Sequence, residues 1–166
     1  MTPPRETEFS VARRVRVAGV LTLLFIVSSI AHFAVFEQPL LPERTAAQVA
    51  EYVRLHPAHL RAGIVLDSVV FALGALLAVA LFAVVKDSAP GLAHAALALM
   101  LLAFGVSMAI ELSSFAMLGL VRPGSEVLEP MLVAVTQTRA GGYALVMFVY
   151  SLGLGIAFAL LPRAGA

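Results

Sequence analysis

Apolar residues come along this chain in four long runs separated by short polar stretches, with little of the alternation that marks strands. The first run, VRVAGVLTLLFIVSSIAHFAVF, covers about residues 15–36 and follows the basic ARRVR. The second, AGIVLDSVVFALGALLAVALFAVV, covers about residues 62–85, and the third about residues 92–121. The fourth, GYALVMFVYSLGLGIAFALL, covers about residues 142–161 and stops at Pro162. About 20 apolar residues in helical form cross the hydrocarbon core of a bilayer, so each run predicts one transmembrane helix. The KDSAPG stretch between the second and third is short enough to fold them back as an antiparallel hairpin. The expected fold is all-α: a polytopic membrane protein with four transmembrane helices in an antiparallel bundle, one domain over residues 1–166.

The outer connections carry a pattern of their own. In PERTAAQVAEYVRLHP, Ala46, Val49, Ala50 and Val53 recur at helical spacing, Thr45 is placed to cap the start, and Pro57 ends or bends the element. GSEVLEPMLVAVTQTRAGG reads similarly, with Ser125 as a cap, Pro130 in the first turns and Gly141-Gly142 as a joint into the fourth span. Both predict short interfacial helices on the outer side, with ordered loops as the plainer alternative.

Composition agrees with the pattern. Hydrophobic residues make up 61% of the chain and charged residues 13%, at a mean hydropathy of +0.98, whereas soluble domains are roughly a quarter charged. The chain has no cysteine, which removes disulfides, thiolate metal sites and cysteine nucleophiles, and its net charge of +1 offers no footprint for nucleic acid. With four spans both termini share one side, where Arg5, Arg13, Arg14, Arg16, Lys86 and Arg163 lie; Arg44, Arg54, Arg61, Arg122 and Arg139 fall in the opposite loops. The cluster abutting the first span decides the orientation: both termini cytoplasmic. The rival is a signal peptide over residues 1–31, cleaved after SIA, which leaves three spans; the apolar run continues through FAVF, which favours a retained helix.

Ionisable residues inside such runs are the candidates for function. At 1.5 Å per residue, Glu111 lies roughly 7 Å to the outer side of the midplane, and Asp67 and His32 each roughly 10 Å. Three helices thus bring a polar group to one level. Ser107, Glu111 and Ser114 form one stripe on the third helix; Ser28 and Ser29 share the side of His32; Tyr143, Met147 and Tyr150 line up on the fourth. The predicted intramembrane pocket comprises His32, Asp67, Ser107, Glu111, Ser114 and Tyr143. A glutamate near a span centre costs roughly 2.5 to 3.5 kcal/mol on insertion, against about 0.3 to 0.6 gained from each Leu, Ile, Phe or Val. The third run inserts regardless, and its carboxylate then needs a partner or a proton. Small pairs, Gly74 and Ala78, Gly105 and Ala109, Gly153 and Ala157, suit close helix packing.

Two uses fit this pocket: a structural polar network, or a site for a ligand or proton. His32 and His94 fall on opposite sides, roughly 30 Å apart along the normal, so they cannot share a haem. His56 and His59 in HPAH form a weak metal pair, and no HExxH, Walker, GxSxG or dinucleotide-binding pattern occurs. No catalytic residue, cofactor or metal ligand is predicted, and the chain leans away from enzymes. The expected function is a small membrane protein that binds a lipid-like ligand or a partner membrane protein, which includes itself. The alternative is a proton-coupled transporter or subunit using Glu111 and Asp67.

The order RVAGVLTLLFIVSSIAHF, the outer AAQVAEYVRLHPAHLRAG, a second span and a polar turn resembles a bacterial membrane family designated domain of unknown function 4386. The likeness covers about residues 13–120 and includes an R-x-G-I-x-x-D opening of the second span, here Arg61, Gly63, Ile64 and Asp67. The resemblance implies a helical membrane protein and brings no activity with it.

Overall fold

The computed structural model describes residues 4–37, 45–120 and 129–164, and among them all regular structure is helical. Helix α1 (Pro4–His32) runs on into a π-helical turn (Phe33–Glu37); α2 (Ala46–Leu55), α3 (Pro57–Val85), α4 (Pro90–Leu120) and α5 (Glu129–Leu160) follow, and a 3-10 turn (Leu161–Ala164) ends the described chain. Four segments are long and apolar enough to cross a membrane: Val11–Phe36, Pro57–Val85, Pro90–Leu120 and Met131–Ala164. α1 packs on α3, α3 on α4 and α4 on α5. Sequence neighbours are therefore neighbours in space, and α1 and α5 form the two edges.

Local signals account for the boundaries around α2. The Thr45 hydroxyl accepts from the Gln48 backbone N–H at 3.3 Å while the Gln48 side chain accepts from the Thr45 N–H at 2.9 Å. This reciprocal capping box satisfies two of the free amides of a helix start. Val49, Ala50 and Val53 face inward against Leu60, Ile64, Met117 and Leu132. Pro57 opens α3 at a position where no amide hydrogen is needed.

The fourth span differs from expectation. α5 does not break at Gly141-Gly142, and the segment expected as a second interfacial helix forms its first turns; Ser125 lies outside the described residues. A helix interior charges each glycine about 1 kcal/mol relative to alanine, but buried backbone in an apolar medium must bond within its own helix. Gly142 also has a packing reason, because a Cβ there would come 2.6 Å from Ile110 Cδ1. The inward face of α5 repeats every seven residues: Leu132, Arg139, Val146, Gly153 and Leu160 in one row, Thr136, Tyr143, Tyr150 and Ala157 in the other. Outward faces carry large apolar side chains, among them Leu23, Val27 and Ile30 of α1, Leu112 and Phe115 of α4, and Phe148 of α5. Such surface is a liability in water and neutral in hydrocarbon.

The small residues divide into two kinds. A Cβ on Gly74 would meet the Phe104 ring at 2.2 Å, and one on Gly153 would meet the Ala96 carbonyl oxygen and Met100 Cγ, each at 2.9 Å. These two glycines let α4 approach α3 and α5 closely. Gly105 has nothing within 4 Å, and Ala109 is exposed, so that pair faces outward and packs nothing. Gly153→Val is expected to lower the unfolding midpoint in detergent, by the about 1–3 kcal/mol typical of overpacking, while Gly105→Val leaves it unchanged within error. Equal effects at both positions would contradict the close α4–α5 approach.

Candidate functional site

At the α2 end of the bundle, α1, α3, α4 and α5 each turn a polar side chain inward. Asp67 on α3 is the centre: its Oδ1 lies 3.1 Å from His32 Nδ1 of α1, and its Oδ2 lies 3.3 Å from the Tyr143 hydroxyl of α5. The Tyr143 hydroxyl is closer to Glu111 Oε1 of α4, at 2.6 Å, and donates there. Glu111 Oε2 accepts from the Ser114 hydroxyl at 3.0 Å. Arg139 completes the cluster, with Nη1 3.4 Å from Glu111 Oε1, a hydrogen bond to Ser114 Oγ, and its guanidinium 5.5 Å from the centre of the Tyr143 ring. Glu111 is 3% exposed and Arg139 5%. Charges so buried are held by pairing and by hydrogen bonds to their remaining atoms.

Of the residues singled out from the sequence, His32, Asp67, Glu111, Ser114 and Tyr143 form one connected cluster. Ser107 is buried nearby, but its hydroxyl bonds back to the Ala103 carbonyl at 3.0 Å, a common use of serine in apolar helices. Arg139 is the residue that sequence reasoning missed, because a joint at Gly141-Gly142 placed it in an outer loop. A signal was present: Arg139 stands seven residues from both Leu132 and Val146, in phase with the buried row of α5.

Towards α2 a stack of rings covers the cluster. His32 stacks on Phe36 at 5.6 Å between centroids, Phe36 on His59 at 4.6 Å, and His59 Nδ1 is paired with the Tyr52 hydroxyl. His56 lies at a helix boundary and His59 in this stack, and among the described residues no group of three or more His, Asp or Glu side chains is placed to hold a metal ion. His94 stands at the opposite end, its Nδ1 2.7 Å from the Pro90 carbonyl oxygen.

Away from α2 the cluster opens into a cavity of about 560 Å³ between the edge helices α1 and α5, with α3 and α4 as its floor. His32, Asp67, Arg139 and Tyr143 line its polar end; Phe25, Val70, Phe104 and Leu154 are among its apolar walls. Its wall on α5 extends from Thr136 to Leu154, about 27 Å at the helical rise, which approaches the hydrocarbon thickness of about 30 Å.

Residues 17–164 match the family described as domain of unknown function DUF4386. The chain belongs to the DUF4386 family. The match continues past residue 120 through α5, so that all six members of the cluster, His32, Asp67, Glu111, Ser114, Arg139 and Tyr143, fall within it. No curated protein and no solved structure matches the chain.

The Glu111–Arg139 pair makes a thermodynamic prediction. Arg139→Met strands a buried carboxylate and is expected to destabilise the bundle by about 3–5 kcal/mol, whereas Glu111→Met with Arg139→Met together recovers most of the loss. Thermal unfolding of the two single variants and the double in one detergent checks this. Additive losses would mean that the two charges do not depend on each other.

Proposed function

We propose that this DUF4386 protein is a non-enzymatic, membrane-embedded binder of a lipid-like amphiphile. The polar head sits at the His32, Asp67, Tyr143 and Arg139 end, and the apolar part lies along the groove between α1 and α5. The cavity itself carries this reading: about 560 Å³, polar at one end and apolar along its length, within the size range of small-ligand pockets. Two carboxylates against one guanidinium leave a single negative charge, which protonation of His32 cancels. Nothing in the cluster therefore favours a strongly anionic head, and a zwitterionic or neutral one suits it.

In the membrane orientation that goes with this function, both termini and the turn between α3 and α4 face the cytoplasm of a bacterial cell, across the inner membrane, and α2 lies at the outer surface. The absence of native cysteine makes the orientation directly measurable. Asp87→Cys and Glu51→Cys introduce thiols at exposed positions on opposite ends. An impermeant maleimide applied to intact cells is expected to label the Glu51→Cys variant and to reach the Asp87→Cys variant only after lysis. The reverse pattern would invert the assigned orientation.

Ligand binding is tested by native mass spectrometry of protein released from mild detergent. The wild type should retain lipid, and Ala144→Trp, which places a large ring in the groove from an exposed position on its wall, should reduce retention about tenfold without unfolding the bundle. Equal retention would sink the groove as the site. A second use, proton-coupled transport, draws support from the bonded run His32, Asp67, Tyr143, Glu111. Glu111→Gln separates the two: lipid retention should stay within about twofold, while a proton-coupled role requires loss of pH-gradient-driven proton flux in proteoliposomes.

A further inference from the structure

The groove has polar atoms outside the cluster just described. Ser29 of α1 and Tyr150 of α5 both line it. Among the described residues neither hydroxyl has a hydrogen-bond partner, although Tyr150 is only 8% exposed. The Tyr150 ring is fixed by Phe25 at 5.6 Å and Phe104 at 5.3 Å. A buried hydroxyl without a partner gives up its hydration with no bond in return. A phenol without a partner also contrasts with Tyr143 one heptad away, which is fully used. Phenylalanine would pack the same space without that penalty.

Position says what the hydroxyls would meet. Ser29 is three residues from His32, about 4.5 Å along α1, and Tyr150 is seven residues from Tyr143, about 10 Å along α5. Helical side chains lean towards the N-terminus of their helix, which on α5 brings the Tyr150 hydroxyl back towards the polar end. Both residues therefore line the groove below the head site, one on each of its edge helices. Both can donate, and a carbonyl oxygen has two lone pairs to accept them.

We infer that Ser29 and Tyr150 form a second subsite that takes an acyl carbonyl, so that the amphiphile is an acyl lipid, recognised at its head and again at the linkage between head and chain. This rests on the groove being the binding site. A lipid whose carbonyls all belong to its head ring, such as a prenylated quinone, offers no acceptor at this depth, and an ether-linked chain offers only the weaker ether oxygen in place of the carbonyl.

The test compares 1-palmitoyl lysophosphatidylethanolamine with its 1-hexadecyl ether analogue, each titrated against the full chain in detergent and followed by native mass spectrometry. The wild type is expected to bind the ester roughly tenfold more tightly than the ether, the effect of one or two neutral hydrogen bonds. Ser29→Ala with Tyr150→Phe should bring the ester down to the level of the ether and leave the ether unchanged. Each change removes only a hydroxyl that has no partner, so the variant folds at least as stably as the wild type. Equal wild-type affinity for the two lipids, or a preference that survives in the double variant, overturns the carbonyl subsite while the groove stands. Failure of both lipids to bind, with Ala144→Trp without effect, overturns the groove and the subsite together.

Discussion

A charge inside an apolar bundle has to be matched before anything else in the fold can settle, and here the match is between Glu111 and Arg139. The guanidinium reaches α4 from α5, the tyrosine one turn on from it reaches both Glu111 and Asp67, and Asp67 reaches the histidine of α1. Four helices are thereby keyed to one level by directional contacts. Apolar packing alone is a weak guide to register in hydrocarbon, because lipid tails offer the same environment as leucine. The polar cluster supplies the register that the apolar surfaces leave open.

Much of this was legible in the sequence, for reasons that can be named. The four long helices follow from run length against bilayer thickness, and the Thr45 cap follows from a short-range rule that tertiary packing did not disturb. The convergence of His32, Asp67 and Glu111 followed from counting residues to depth, because a helix converts position to height linearly. Arg139 escaped for the opposite reason. A pair of glycines reads as a break in water, where an unravelled backbone finds hydrogen bonds in solvent; within a packed, apolar bundle the same pair continues the helix. The misplaced boundary then carried an interior cation out into a loop. The seven-residue repeat of α5 was the stronger signal and outweighed the glycines.

The groove was not legible at all. It comes from the order of packing, in which α1 rests on α3 and α5 on α4 while the two edges meet through Phe25 and Tyr150. Nothing in residue spacing fixes how far apart two edge helices stand. What the spacing did show was that polar residues shared a side of each helix; it could not show that two of those sides would enclose a space with apolar walls. The close approaches at Gly74 and Gly153 are of the same kind, since Gly105 has the same local sequence character and faces outward.

The pair Glu111 and Arg139 also has an order in time. The two residues are 28 apart along the chain, and synthesis at about 5–20 residues per second makes the acid seconds before the base. α4 must therefore enter the bilayer on its own hydrophobicity, with its carboxylate unanswered, and the arginine that answers it arrives only as α5 follows. Insertion and assembly are thus separate events in this protein: apolar content drives the first, and the late cation locks the second, so that a chain halted before residue 139 would hold three helices in the membrane with the central contact of the bundle still unmade.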